Sequence, residues 1–157
     1  LNNAQTMLKE EIINEVNKKN IMDVEGTNNR LAINILEAWQ LYKMQLDKLS
    51  NSTGNKLIFE NGAIKIGKGV SKVKVSSTIM LSFGGNAAEL YGGIALNEEQ
   101  VTNTYIYYTS GFETISHSPK LIDVKEGDVL SLAAGASKTG TITIVSTSSY
   151  LEVEVVE

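Results

Sequence analysis

Aromatic residues in the second half of the chain are the side chains with the clearest potential chemistry. Aromatic faces stack on the apolar faces of sugar rings, while Asn, Glu and His side chains fix the hydroxyls. In a strand, Tyr105 and Tyr107 point to one face and Tyr108 to the other, so any one of them could equally belong to a core or a subunit interface. The candidate ligand-binding residues are Asn86, Glu89, Tyr91, Tyr105, Tyr107, Tyr108, Phe112, Glu113 and His117.

Nucleophilic catalysis and metal binding lack the residues they need. His117 is the sole histidine and cysteine is absent, so a hydrolytic triad has one possible base and a zinc site lacks its usual ligands. Ser116 and Ser118 flank His117, but neighbours on a strand point to opposite faces, and no nucleophile elbow is present. We expect a loop or surface histidine, no metal and no cofactor.

Two acidic pairs could in principle cleave a glycosidic bond. Glu98 and Glu99 lie in a polar turn, and Glu152 and Glu154 alternate with apolar residues of a strand, so both pairs are typical of solvated faces. An acid pair assembled from distant loops stays open as an alternative. We therefore expect that the protein is not an enzyme.

Phosphate binding is also weakly supported. Residues 62–68 match the first seven positions of a P-loop, but Gly69 stands where a Ser or Thr should hold magnesium, and the match lies within a strand pattern. One local basic cluster has two interpretations: contact with a phosphate-bearing polymer, or protection of an exposed edge, which is the more frequent role of lysines that alternate on a strand. These lysines are Lys65, Lys68, Lys72 and Lys74.

Composition limits the partners further. The 157 residues include 14 basic and 18 acidic side chains, which argues against a nucleic-acid partner. No apolar stretch approaches the ~20 residues that cross a bilayer, and the first residues lack the pattern of a signal peptide. We expect no membrane insertion. Because the chain starts at Leu1 and runs straight into a helical pattern, we expect a C-terminal part of a longer protein.

The elements that position these residues change period near Asn51. Before it, helical spacing predicts one helix over residues 4–20 and, after a break around Gly26, a second over residues 29–49. The second carries a coiled-coil seam of alternating three- and four-residue spacing, which predicts self-association; an intramolecular helical hairpin is the alternative. The seam, and hence the predicted trimerisation surface, is Ala32, Ile35, Trp39, Tyr42, Leu46 and Leu49.

After Asn51 the sequence predicts short strands. Asn61-Gly62 between two apolar runs is the preferred pair for a two-residue hairpin turn. Further strands are predicted at residues 70–75, 78–83, 90–96, 104–109, 112–116, 121–124, 129–133, 141–145 and 150–156. The predicted fold is mainly β, an antiparallel sandwich or jelly roll with an N-terminal helical stalk. Its predicted domains are a stem at 1–50, a linker at 51–56 and a head at 57–157.

Three stretches of the head carry a resemblance to a known family. They are NGAIKIGKGVSKVKVS at residues 61–76, LIDVKEGDVLSL at 121–132 and YLEVEVV at 150–156. Together they resemble the C-terminal heads of tail proteins from phages of Gram-positive bacteria, which are similar in plan to trimeric C1q- and tumour-necrosis-factor-like jelly rolls. The resemblance covers about residues 57–157.

The resemblance implies a homotrimeric receptor-binding protein at the tail tip of the virion. Its partners would be host cell-wall polysaccharide or teichoic acid, together with other phage tail or baseplate proteins. Weak single sites would gain affinity through multivalency. No motif of the family transfers binding residues to this chain. Two alternatives stay open: a structural fibre or baseplate module that binds no glycan, and a polysaccharide depolymerase.

Overall fold

The structure is a computed structural model that describes residues 3–9, 19–85, 87–102 and 104–157. Most of the described chain belongs to two antiparallel β-sheets. The strands are β1 Ile21–Glu25, β2 Leu31–Ile35, β3 Tyr42–Lys43, β4 Lys48–Thr53, β5 Leu57–Glu60, β6 Ala63–Ile66, β7 Lys72–Phe83, β8 Ala88–Leu96, β9 Glu99–Gln100, β10 Thr104–Tyr108, β11 Glu113–Asp123, β12 Val129–Ala136, β13 Gly140–Ile144 and β14 Tyr150–Val155. A 3₁₀ turn covers Ser146–Ser148.

The first sheet is organised around β7. Its strand order is β2-β13-β7-β14-β1-β4, and β11 pairs with β7 along the other edge. β7 alternates strictly between buried and less buried residues over its twelve positions, as expected of a strand with one face on a core. β14 and β13 share the remaining edge of β7, with Val153 opposite Val75 and Ile144 opposite Leu81.

The second sheet is built around β8 and β12. Its strand order is β10-β8-β12-β6-β5, with β3 pairing to β12 and β9 to β8. The longest pairing in this sheet joins β12 and β8, from Leu130 opposite Leu96 to Ala136 opposite Leu90. Side chains alternate along each strand, so every second residue points into the core and the others point outward. On β8 and β12 most of the outward residues are buried as well.

The core lies between the two sheets. Alternating apolar residues from both inner faces interdigitate there, which is the packing expected of a β-sandwich. The largest fully buried side chains are Ile35, Met44, Leu46, Ile64, Ile66, Ile79, Leu81, Leu90, Ile94, Ile115, Leu130 and Leu132. No helix of sufficient length and apolar character to cross a bilayer occurs in the described residues.

The predicted hairpin and the predicted head strands are confirmed. β5 and β6 pair with Glu60 opposite Ala63, and Asn61 and Gly62 have φ of 51° and 71°, which is the left-handed conformation that a two-residue turn requires. Each of the nine other predicted strands has a counterpart. The strands predicted at 70–75 and 78–83 form one long strand, β7, and those predicted at 112–116 and 121–124 form another, β11.

The second predicted helix is wrong. Residues 29–49 instead form β2, β3 and the start of β4. The same residues also contain a two-residue apolar period, Leu31-Ile33-Ile35 and Tyr42-Met44-Leu46, so periodicity alone was ambiguous. The choice is made by partners distant in sequence, since β2 pairs with β13, β3 with β12 and β4 with β1.

The predicted coiled-coil seam is wrong for the same reason. Ile35 and Leu46 are buried in the core between the two sheets of the chain and are not available to contact a second copy. Ala32, Trp39 and Leu49 are exposed, whereas Tyr42 is half-buried and its hydroxyl accepts hydrogen bonds from the Leu36 and Glu37 amides. These side chains therefore share no common face.

The first predicted helix is described only in part. Residues 3–9 are helical and exposed, residues 10–18 lie outside the described residues, and Lys19 and Asn20 are irregular. The predicted linker at 51–56 overlaps β4, Lys48–Thr53. Strands β1 to β4 belong to the same two sheets as the strands of the predicted head.

Candidate functional site

Three aromatic rings meet on the outward face of the second sheet, and we call Trp39, Tyr91 and Tyr105 the aromatic platform. Tyr105 on β10 lies directly opposite Tyr91 on β8, with ring centroids 5.5 Å apart. Trp39, from the segment between β2 and β3, stacks on Tyr91 at 5.9 Å with an interplanar angle of 8°. The ring centroids of Trp39 and Tyr105 are 6.4 Å apart. Such contacts add to the stability of a cluster beyond burial alone.

Tyr91 forms the buried base of the platform. Only 4% of its surface is exposed, and its hydroxyl donates a 2.7 Å hydrogen bond to the Gln40 carbonyl. Gly135 lies opposite on β12, and a Cβ there would come within 2.3 Å of both the Tyr91 hydroxyl and the Gln40 carbonyl oxygen. Burial, then the neighbouring Tyr105 and Tyr42, raise the pKa of Tyr91 to about 12.

Trp39 is held in an unusual backbone conformation. Its φ is 66°, the left-handed region that costs a bulky residue roughly 1–2 kcal/mol. The Trp39 amide donates a 2.8 Å hydrogen bond to the Ala136 carbonyl, which fixes the segment against the edge of β12. The indole nevertheless remains 55% exposed. The strained backbone thus positions a largely exposed ring over a buried one.

Polar and aromatic groups extend the platform along β8 and β10. Tyr107 is 72% exposed and lies opposite Glu89. Glu89 is also exposed, and its backbone is fixed by a pair of 2.9 Å hydrogen bonds with Ser137. The structure therefore brings together Glu89, Tyr91, Tyr105 and Tyr107 of the predicted binding residues.

A groove lies on the same sheet and is formed by two adjoining cavities of about 460 and 380 Å³. Both are lined by Lys43, Glu98 and Ser131. The larger continues past Lys65 and Glu60 at the β5–β6 hairpin. The smaller reaches Gln40 and Ala133, so it ends beside the residue whose carbonyl binds the Tyr91 hydroxyl. We call these cavities the groove.

Other predicted binding residues lie elsewhere. Tyr108 is 5% exposed; its ring meets Phe83 edge-on at 6.5 Å and its hydroxyl donates to the Gly111 carbonyl, so its role is structural. The Phe112 ring contacts the Arg30 guanidinium at 5.0 Å. Glu113 is an exposed residue at the start of β11.

His117 and Asn86 complete the predicted set. His117 is half-buried on β11, and its Nε2 lies 3.0 Å from the Gly92 carbonyl oxygen. His117 thus lies on a strand rather than in a loop, because β11 continues through this position and packs the ring against β8. Asn86 lies outside the described residues.

The alternative chemistries gain no support. The residues that matched a P-loop form the turn and strand β6 of the hairpin. The lysine cluster is divided between the sheets, and β7, which carries Lys72 and Lys74, is an interior strand rather than an edge. Lys72 and Lys74 pair with Glu157 at 3.3 Å and Glu154 at 3.4 Å. Within the described ranges, no cluster of His, Cys, Asp or Glu could hold a metal ion.

Glu152 has an unusual acid environment on the first sheet. It lies opposite Asp23 on β1, and the hydrogen bond with Asp23, followed by burial and repulsion from Asp23 and Glu154, raises the pKa of Glu152 above its ordinary value. Lys74 opposes this shift. The pair faces away from the second sheet and takes no part in the platform.

Trp39 is the site residue that sequence reasoning assigned to another role. Its helical spacing from neighbouring apolar residues placed it on the coiled-coil seam. The sequence does contain a signal for the correct placement: apolar residues repeat every second position both before and after Trp39. That pattern predicts a strand on each side and places Trp39 in the connection between them. Contact with Tyr91 depends on the pairing of β3 with β12 and of β12 with β8, and neither pairing can be read from local sequence.

Comparisons with known proteins establish the fold class. No protein-family model matches the chain, and no curated protein is similar to it in sequence. Among solved structures, murine APRIL is similar with a TM-score of 0.59 at 8% identity, over 88% of this chain and 99% of the other. Eiger TNF from S. frugiperda is similar with a TM-score of 0.61 at 8% identity, over 88% of this chain and 93% of the other. The fold is a TNF-like jelly roll, which confirms the predicted sandwich.

Proposed function

We propose that the chain is a carbohydrate-binding jelly-roll head that recognises host cell-wall glycan at the aromatic platform. One observation carries this proposal: Trp39 and Tyr105 remain 55% and 54% exposed while they pack around the buried Tyr91. Large apolar rings that stay accessible on a rigid sheet are suited to stacking on sugar rings. The resemblance of residues 57–157 to phage tail heads supports a receptor-binding role at the tail tip of a virion.

The platform also has features of a site built for a ligand. Trp39 occupies a strained left-handed backbone conformation, and strain of this kind concentrates where surrounding structure holds a residue for function. Tyr91 is fixed from below by its bond to Gln40. The rings are therefore pre-organised, which lowers the entropy cost of binding.

Self-association is the second part of the proposal. The resemblance to trimeric C1q- and TNF-like jelly rolls supports a homotrimer, in which repeated weak sites would raise the overall affinity without new contacts. Other tail or baseplate proteins would hold the trimer in the virion. Measuring the mass of the chain in solution tests this part directly, and a monomer at micromolar concentration would contradict it.

A structural module without glycan binding is the alternative. It is favoured by further exposed apolar side chains, such as Leu36 at 76% and Leu121 at 57%, which are typical of surfaces that contact protein. In that case the platform itself would lie in a subunit interface. Its removal would then change the oligomeric state rather than adsorption to host cells.

The deciding experiment compares matched tyrosine substitutions. Tyr105→Ala removes a platform ring, and Tyr150→Ala removes a tyrosine of similar exposure, 41% against 54%, on β14 of the first sheet. Binding to an array of bacterial wall glycans and to purified cell walls is measured together with solution mass. We expect Tyr105→Ala to lose binding at unchanged mass and Tyr150→Ala to retain it.

Three results would count against the proposal. If Tyr105→Ala binds normally, the platform is not the site. If its mass changes instead, the structural module is correct. Release of reducing sugar from wall material by the unmodified chain would indicate a depolymerase, and we expect none.

A further inference from the structure

We infer that the ligand is an uncharged polysaccharide chain that lies on the aromatic platform and continues along the groove. This inference rests on the proposed function and deepens it, because it selects between a neutral polymer and a polyanionic one such as teichoic acid. It also requires recognition along the polymer rather than at its end.

The groove and the buried base of the platform both lie over β12. The outward positions of β12 are Val129, Ser131, Ala133 and Gly135. Val129 and Ser131 line the larger cavity, and Ser131 and Ala133 line the smaller one. Gly135 lies beneath the Tyr91 hydroxyl. At about 3.3 Å per residue this path is ~20 Å long. It exceeds the length of a single sugar ring, so one terminal sugar would leave most of it empty.

The floor of the groove is made of small side chains. Ser131 on β12 lies opposite Ala95 on β8, and both line the smaller cavity with Ala133. Two neighbouring strands that carry only Ser and Ala at these outward positions leave a trough in the sheet surface. Gln40 lies where the trough meets the platform, since it lines the smaller cavity and its carbonyl oxygen accepts a hydrogen bond from the Tyr91 hydroxyl.

The charges along the groove are balanced. Lys43 and Lys65 oppose Glu60 and Glu98 in its lining, and Lys65 lies 4.0 Å from Glu60. Lys43 donates a 2.5 Å hydrogen bond to the Asn61 carbonyl. A polymer with a phosphate in every repeat would gain no net attraction from this balanced lining, and beside the platform it would also meet the exposed carboxylate of Glu89. A neutral chain of hydroxyls instead finds donors and acceptors of both kinds.

The first test measures affinity against chain length and salt. The probes are size-graded neutral fragments of a wall polysaccharide that binds on the array, and a glycerol-phosphate polymer of matched length. Neutral fragments should bind more tightly as they lengthen from disaccharide until the groove is filled. Their affinity should stay constant from about 0.05 to 0.5 M salt, whereas binding of a polyanion would weaken steeply.

The second test uses Glu98→Ala with Glu99→Ala as its control. Glu98 lines the groove, and its neighbour Glu99 is exposed on β9 and is absent from both cavity linings. Loss of a hydrogen-bonding carboxylate should weaken binding of long neutral fragments by about tenfold and leave disaccharide binding unchanged. For a polyanionic ligand the same change would strengthen binding, because it removes repulsion.

The outcomes separate this inference from the proposed function. If neither polymer binds in a way that depends on Tyr105, the proposed function fails. If fragments bind at the platform with no dependence on length and Glu98→Ala has no effect, the groove is not part of the site. Preferential and salt-sensitive binding of the glycerol-phosphate polymer would also overturn the inference while leaving the proposed function intact.

Discussion

The indole of Trp39 lies parallel to the phenol ring of Tyr91, with ring centroids 5.9 Å apart and planes inclined by 8°. Trp39 comes from the segment between β2 and β3, and Tyr91 from the middle of β8. The contact therefore joins two regions that helical and strand periodicity assigned to a stem and a head. It also places an exposed ring on a rigid base, which is what a sugar-binding surface requires.

Substitution of Trp39 should separate binding from backbone strain. Trp39→Gly and Trp39→Ala both remove the indole, so both should lose glycan binding. Glycine adopts the φ of 66° without penalty, whereas alanine retains the strain, so the glycine variant should be more stable by about 1 kcal/mol. Urea unfolding measures the difference. Equal stability of the two variants would show that the left-handed conformation is absent in solution.

A side chain at Gly135 should disturb the platform from below. Gly135→Ala would place a Cβ 2.3 Å from the Tyr91 hydroxyl and the Gln40 carbonyl oxygen, so their hydrogen bond must break. We expect destabilisation of about 1–3 kcal/mol and weaker glycan binding. Gly84→Ala is the matched control, because its Cβ would meet only the Thr141 carbonyl oxygen at 3.5 Å. A normal melting temperature for Gly135→Ala would contradict the placement of Gln40.

Alkaline pH should weaken the fold through Tyr91. Its pKa is raised to about 12 in the folded state, above the ordinary value near 10 that applies when unfolded. The stabilisation from the neutral phenol is therefore complete below about pH 10 and is lost as pH rises toward 12. Ultraviolet titration of tyrosinate should show a late-ionising group, and Tyr91→Phe should remove it. Persistence of that group in the variant would assign it to another tyrosine.

Removal of the charge on Glu152 should stabilise the protein at neutral pH. The hydrogen bond with Asp23, then burial, raise the pKa of Glu152 in the folded state, so its contribution to stability is present at acid pH and lost as pH rises through the folded pKa. Glu152→Gln should therefore raise the melting temperature at pH 7. It should have little effect on the melting temperature at a pH below the ordinary pKa of a glutamate carboxyl. Glu154→Gln is the contrasting change, since it removes the 3.4 Å ion pair with Lys74 and should not stabilise.

The strands of the head could be predicted because their information is local. Asn61-Gly62 specifies a turn through the two positive φ values it adopts, and β7 shows its buried face in strict alternation. Residues 29–49 were predicted incorrectly because their apolar residues satisfy both a helical and a two-residue period. The pairing of β2, β3 and β4 with strands distant in sequence selects the two-residue period over the helical one.

The candidate site was predicted only in part. Tyr91, Tyr105 and Tyr107 were recognised as possible sugar-binding residues from their chemistry, and the structure places them on one face with Glu89. Tyr108 could not be distinguished from them by type, and it packs against Phe83 in the core. Its alternation with Tyr107 was visible, but the sequence did not show which face of β10 was outward.

By itself, the sequence determined an all-β head, its principal hairpin, the absence of cysteine chemistry and the supply of aromatic residues for a binding surface. These follow from composition and from periods of a few residues, which local stereochemistry fixes. The tertiary structure alone decided that residues 21–53 join the two sheets, that Trp39 stacks on Tyr91 and that a balanced groove adjoins the platform. Each of these depends on hydrogen-bonded pairing between strands far apart in the chain, which only the folded backbone specifies.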